Sequence, residues 1–339
     1  MSPAAPKMCF DRMLPRELFR PRPTRSTRGR VRATIEFRKM WVNGSALRVR
    51  FLEGTMQQKR TAMEQANWWT PFANTSFAFT DDDDAEIRVS FDPEDGAWSY
   101  VGTEARNIPR GQATMNLGFL DGGTAAHEFG HALGLAHEHQ SPFGGMHWNE
   151  AVVTRAMAGP PNYWSPEETR FNILAKYTVD QIRGTQFDPD SIMLYAYPPS
   201  FTTDHHGTKA NEVLSETDTS FIGSEQGYPK GAAVEPIALK GNASRATRGD
   251  IGTPGEEDLY AFKVARKGRH MVETGGETDM YVKLFGPDSP TRLIAEDDDS
   301  GRGANARVVA DLVPGNYLVQ VRHFNRAGGT GKYSVQVRT

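Results

Sequence analysis

The chain has 339 residues, a single cysteine, 39 Lys and Arg, and 42 Asp and Glu. That length predicts about two domains. One cysteine forbids an intramolecular disulfide and excludes zinc ribbons and iron–sulfur clusters, which need several thiolates.

With 38% apolar and 24% charged residues the composition suits a folded globular protein. No run approaches the ~18 apolar residues that span a bilayer, so no transmembrane segment is expected. The charge is uneven. Residues 1–60 hold fifteen Lys and Arg against four Asp and Glu, a local +11, which leaves −14 on the rest. A basic head is one mark of nucleic-acid binding. This one lacks interleaved aromatics and any zinc-finger or helix-turn-helix pattern, so no nucleic-acid partner is expected. Residues 1–30, rich in Pro and Arg, read instead as a leader or propeptide-like segment. They show no apolar h-region of about 7–15 residues, so no signal peptide is visible.

From Val31 the pattern changes. "LRVRF" (47–51) and "AEIRVSF" (85–91) alternate apolar and polar residues like half-buried strands. Between them, Met56, Ala62, Met63, Ala66 and Trp69 are spaced as on one face of a helix. "QATMNLGF" (112–119) predicts a further strand, and Gly122-Gly123 opens onto a helix with Thr124 as its N-cap. Irregular sequence follows as far as "LSETDTSFIGSEQGYP" (214–229), where Ser215 and Asp218 have capping-type spacing. Beyond about 236, six short apolar runs separated by Gly, Pro and Asp turns predict an antiparallel sandwich. The expected division is a domain over 31–230, a linker near 223–237, and an all-β domain over 231–339.

The chemistry concentrates in His127-Glu128-Phe129-Gly130-His131-Ala132-Leu133-Gly134-Leu135-Ala136-His137. A helix puts positions i and i+4 on one face, so His127 and His131 present two imidazoles to one point. Neutral imidazole is a good Zn²⁺ ligand. Glu128, beside the first ligand, suits a general base acting on water at the metal. Gly134 can take positive φ, ending the helix so that His137 returns as a third ligand. Three protein ligands leave a position open, the arrangement of a catalytic site.

This string resembles the signature of the metzincin metallopeptidases. Within them the sequence is similar to the astacins, which carry Glu after the third His, as Glu138 does here. They also carry a Ser-x-Met-x-Tyr turn, as Ser191, Met193 and Tyr195 do here. The resemblance covers about residues 31–230. It implies an α+β metzincin-type catalytic domain, a twisted mixed sheet plus a zinc-binding helix, and the activity of a zinc endopeptidase acting on protein or peptide substrates. It implies that Met193 floors the imidazoles, and that Tyr195 is a further zinc ligand which swings away to hydrogen-bond the tetrahedral intermediate. Residues 98–119 resemble the family segment ending in the sheet-edge strand beside the cleft. A substrate paired with Gln112, Ala113, Thr114, Met115, Asn116 and Leu117 is then expected. Two departures stand out: eukaryotic astacins depend on disulfides that this chain cannot make, and Leu194 stands where His is common. In the family the Glu after the third His meets a processed N-terminus, and the sequence as written supplies none.

The tail, through "GEEDLYAFKV" (255–264), "GETDMYVKLFGPD" (276–288), "AEDDDSG" (295–301) and "LVPGNYLVQV" (312–321), resembles the bacterial pre-peptidase C-terminal domain. Asp297, Asp298 and Asp299 are candidate calcium ligands there, against the plainer reading of a solvated loop. Asp81–Asp84 reads as an exposed acidic turn, and Arg248-Gly249-Asp250 as a chance tripeptide in a loop. Asn43, Asn74 and Asn242 open glycosylation sequons, and His205-His206 reads as exposed. Some metzincins are kept latent by a propeptide Cys on the metal, and astacins more often use Asp. Cys9 or Asp11 is therefore the candidate latency ligand of a zymogen, against the reading of Cys9 as an ordinary side chain.

The expectation is a secreted, bacterial, monomeric zinc endopeptidase with an accessory sandwich. The competing expectation is a surface-binding or adhesion protein whose zinc domain is non-catalytic or latent.

Overall fold

A computed structural model describes residues 39–160, 162–177, 186–326 and 328–339. The expected leader, with Cys9 and Asp11, lies outside the described residues. The chain divides into two compact units. The first is Ala46–Ile222 with residues 39–41, and the second is Val42–Ser45 with Gly223–Thr339. The boundary after Ile222 falls where the expected 223–237 linker begins, and one tetrapeptide, Val42–Ser45, groups with the second unit. Val42 packs with Leu259 and Phe285, and Asn43 Nδ2 donates to the Pro229 carbonyl at 2.9 Å, which ties that tetrapeptide to the second unit. With its side chain so buried, Asn43 is an unsuitable glycan acceptor.

In the first unit, β1 (Ala46–Phe51), β2 (Ser76–Phe79), β3 (Ile87–Ser90), β4 (Ala97–Ser99) and β5 (Met115–Leu117) form one sheet in the order β2-β1-β3-β5-β4. The β1–β2, β1–β3 and β3–β5 pairs are parallel, and β4 runs antiparallel to β5. Leu47, Val49, Ile87, Val89, Met115 and Leu117 are buried, as alternation along each strand requires. Helix α1 (Met56–Ala66) begins with a capping box, Thr55 accepting from the Gln58 amide while the Gln58 side chain accepts from the Thr55 amide. Helix α2 (Thr124–Ala132) carries His127, Glu128 and His131 of the zinc motif. Its N-cap is Gly123 and not Thr124, because the Thr124 hydroxyl turns back to the Asp121 carbonyl at 2.6 Å. Helices α3 (Glu150–Met157), α4 (Pro166–Thr169) and α5 (Glu216–Ile222) complete this unit.

Two sequence expectations change in this sheet. The run Gln112–Leu117 is not an edge. Met115 and Asn116 pair with Val89 and Ser90 of β3 on one side and with Ser99 and Trp98 of β4 on the other. The Arg88 guanidinium occupies the Gln112 carbonyl at 2.7 Å, and Thr114 N–H and C=O bond Arg88 and Tyr100. The ladder positions of that segment are therefore taken on both sides, and the edge position falls to β4. The acidic run is not bare either, since Arg48 meets Asp84 at 2.7 Å and Asp82 at 3.4 Å, and Arg50 pairs with Asp83.

The second unit holds β6 (Val234–Pro236), β7 (Leu239–Lys240), β8 (Ala243–Ser244), β9 (Thr247–Ile251), β10 (Glu257–Val264), β11 (Gly268–Gly275), β12 (Met280–Phe285), β13 (Leu293–Asp297), β14 (Arg307–Leu312), β15 (Gly315–His323) and β16 (Gly331–Arg338). One sheet runs β13-β12-β15-β10-β6, the other β14-β11-β16-β8-β7, with β9 also on β16. Their inward side chains, among them Phe262, Val272, Val282, Val319 and Val335, form one buried core. Arg248-Gly249-Asp250 belongs to strand β9 and not to a loop. A Cβ on Gly249 would lie 2.4 Å from Tyr333 Cζ and 2.6 Å from the Tyr260 hydroxyl oxygen, so packing accounts for the glycine. No helix among the described residues is long and apolar enough to cross a membrane.

Candidate metal centre

Helix α2 is held from several sides. Trp69 Nε1 donates to the Ala126 carbonyl at 2.9 Å and Trp41 Nε1 to the Ala132 carbonyl at 2.7 Å. Gln65 bridges the helix start, donating to the Gly122 carbonyl and accepting from the Ala126 amide. At the other end Gly134, at φ +101°, closes the helix. Leu135 N–H reaches the Gly130 carbonyl at 3.0 Å and Gly134 N–H the His131 carbonyl at 2.8 Å, the hydrogen bonds of a Schellman turn. That turn delivers the Leu135 carbonyl to His131 Nδ1 at 2.9 Å and sends the chain back toward His137.

His127, His131 and His137 converge, and all three are buried. The Nε2 atoms of His131 and His127 are 3.0 Å apart, and those of His131 and His137 are 3.1 Å apart. Carbonyls only accept, so His127 and His131 carry their protons on Nδ1, facing Ile192 and Leu135. The Nε2 lone pairs of these two are then both turned inward, a repulsive arrangement that a cation relieves. Nitrogens about 2.0–2.1 Å from a tetrahedral ion stand ~3.3 Å apart, which the observed spacing approaches. The donor set fits zinc, with outer hydrogen bonds of the kind that orient metal-binding imidazoles.

The phenolic oxygen of Tyr195 joins this group, 2.7 Å from His127 Nε2 and 3.2 Å from His137 Nε2. Glu128 is fully buried on α2 beside the first imidazole. Met193 lies against the bare backbone of the zinc helix. A Cβ on Gly130 would sit 2.6 Å from its sulfur, so the glycine makes room for the methionine. Glu138 N–H donates to the Met193 carbonyl at 3.0 Å, and Glu138 Oε1 accepts from Asp188 N–H at 2.9 Å. Burial pushes the Glu138 carboxyl up to about 7, opposed by the Asp188 hydrogen bond and reinforced by the charges of Asp218 and Asp188.

Several residues here escape sequence reasoning. Asp218, marked there only as a capping partner, accepts from Ser191 Oγ at 2.7 Å, Ile192 N–H at 2.8 Å and Ser215 N–H at 2.9 Å. It therefore fastens α5 to the methionine turn. His139 is fully buried, its Nε2 3.0 Å from the Asn172 carbonyl and its ring centroid 5.0 Å from that of His137. Trp148 and Tyr197 pack edge-on against it. Its place directly after Glu138 was the available signal.

Among the weaker candidates, Asp297, Asp298 and Asp299 can bring three carboxylate oxygens within 4.8 Å of one another. Asp297 is committed locally, accepting from Ser300 and from Arg307 N–H. His206 is exposed, 3.8 Å from Asp204.

The α+β unit and its three converging imidazoles define a zinc-binding hydrolase domain of the metzincin type. The model of the astacin peptidase family matches residues 33–228. The chain belongs to the astacin family and is a zinc metallopeptidase. A solved structure of myroilysin is 37% identical, covering 57% of this chain and 97% of its own, with TM-score 0.54. A second, a crystal structure of myroilysin, is 33% identical over 65% of this chain and 99% of that one, with TM-score 0.46. The pre-peptidase C-terminal domain of a collagenase from Bacillus anthracis is similar over 32% of this chain and 98% of its own, at 20% identity and TM-score 0.28. No curated protein matches the chain.

Proposed function

We propose that this protein is an endopeptidase that hydrolyses internal peptide bonds of protein substrates at the His127–His131–His137 centre, with Glu128 as general base and Tyr195 as oxyanion donor. The observation that carries the reading is the convergence of three imidazole Nε2 atoms beside a buried glutamate on the helix that bears the first two of them. Zinc, when bound, supplies Lewis-acid polarisation of the scissile carbonyl and acidifies water toward a pKa of ~7. Glu128 takes the proton of the attacking water and passes it to the leaving nitrogen as the C–N bond breaks. The Tyr195 hydroxyl donates to the oxyanion of the tetrahedral carbon, a role supported by its position beside His127 and His137. His127 and His131 are kept in one tautomer by Ile192 and Leu135, which holds their Nε2 atoms free of protons.

The substrate backbone pairs with β4, because β4 ends the sheet and no described strand covers its outer side. Such pairing reads main chain and tolerates varied side chains. Secretion as a monomer, and latency through Cys9 or Asp11, belong to the same proposal. Cutting the leader, or Cys9→Ala or Asp11→Ala, is expected to raise activity. Calcium at Asp297, Asp298 and Asp299 is its weakest part, since the Asp297 oxygens already accept hydrogen bonds from within the chain.

The test is cleavage of a denatured protein substrate, abolished by a chelator and restored by added zinc. Cleavage that survives full removal of the metal, or none from zinc-loaded, leader-free protein, contradicts the reading.

A further inference from the structure

We infer that Thr208 is a positioning residue for Tyr195, fixing the main chain from which the phenol reaches the metal centre; this rests on the proposed role of Tyr195. Residues 195–198 lie outside every helix and strand, so no ladder of backbone hydrogen bonds holds them. Thr208 replaces one. Its hydroxyl donates to the Tyr195 carbonyl and accepts from Tyr197 N–H at 2.8 Å. Its own N–H donates to the Tyr197 carbonyl at 2.9 Å. One residue therefore clamps both sides of Ala196.

The approach needs Gly207, where a Cβ would lie 2.4 Å from the Tyr197 carbonyl oxygen and 2.9 Å from Pro199. The loop bearing Thr208 is itself tied down. Thr202 Oγ1 meets the His206 carbonyl at 2.9 Å, and Thr203 N–H reaches the His147 carbonyl at 2.8 Å. With its carbonyl held, the main chain at Tyr195 is restrained and the phenol moves chiefly by side-chain rotation. The phenol therefore returns to the same place, 2.7 Å from His127 Nε2. A donor aimed at developing charge loses much of its effect when misplaced by about 1 Å.

The experiment measures kcat and KM on a fluorogenic peptide for the active full chain and for T208V, T208S, Y195F and Y195F/T208V, with zinc content determined for each. T208V removes the hydroxyl at nearly constant shape, and T208A does so without branching if T208V accumulates poorly. Expected is a roughly tenfold lower kcat in T208V with KM within about twofold, and near-parental kcat in T208S. In the Y195F background the same change costs no more than about twofold, because the group it positions is gone. Equal losses in both backgrounds, an unaltered kcat in T208V, or a T208S as impaired as T208V would each overturn the inference. Parental kcat in Y195F instead removes the role of Tyr195 itself, and the inference falls with it.

Discussion

The Nδ1–H of His127 donates to the Ile192 carbonyl at 2.7 Å, and the N–H of that same Ile192 donates to Asp218 at 2.8 Å. A buried carboxylate far along the sequence thus sets the orientation of a metal-facing imidazole through a single intervening residue. Removing Asp218 strands three donors, from Ser191, Ile192 and Ser215. Asp218→Ala is expected to cost about 2–4 kcal/mol of stability and to weaken zinc binding about tenfold. Equilibrium unfolding and a zinc titration check both, and parental values in both would contradict them.

Asp218 also gives a pH dependence. Burial holds its carboxyl above the ordinary 3.8. The folded chain therefore keeps this proton to higher pH than the unfolded chain. Its contribution is most favourable below pH 3.8 and shrinks as pH rises through the raised value. Asp218→Asn keeps an acceptor for the two amides and removes the charge. Its stability is expected to fall less than the parent's as pH rises above 3.8. A steeper fall in the variant contradicts the assignment.

Gly130→Ala sets two effects against each other. Alanine favours a helix over glycine by about 1 kcal/mol. The added Cβ would sit 2.6 Å from Met193 Sδ and 3.0 Å from Trp69 Cζ2, and such overpacking costs about 1–3 kcal/mol. The clash wins, so thermal unfolding should move down. A higher midpoint would mean that Met193 is not lodged under the zinc helix.

In the second unit, Tyr333 donates to Asp258 at 2.6 Å and meets the Tyr260 hydroxyl at 2.8 Å, directly over Gly249. Gly249→Ala is expected to lower the stability of the sandwich by about 1–3 kcal/mol and leave peptidase activity on a short peptide near parental. Unfolding followed by a probe in this unit reads it, and an unchanged midpoint removes the packing explanation.

The sequence disclosed most where local signals mark one element. The strands β10, β12, β15 and β16 are visible because turn residues bound short apolar runs, and the zinc helix because Gly122-Gly123 opens it and the His127–His131 spacing marks one face. The edge of the first sheet was not visible. β4 is three residues, Ala97–Ser99, too short for alternation to register, and without it β5 looks like the last strand. Gly268–Gly275 escaped for a different reason: its Arg, His, Glu and Gly residues dilute the alternation, although His270, Val272 and Thr274 face inward. The metal ligands were legible because i, i+4 spacing and one glycine encode them locally. Asp218 reaches Ser191 and Ile192 across 27 and 26 positions, and Thr208 bonds backbone groups of Tyr195 and Tyr197 across 13 and 11, contacts that no local pattern announces.

The central claim is that Glu128 moves the proton at a zinc centre it does not itself hold. Peptide turnover by Glu128→Ala, measured alongside its zinc content, tests this most directly. The account predicts one zinc per chain as in the parent, with kcat lower by at least about 10²-fold. Parental turnover in a variant that still carries its zinc would contradict it.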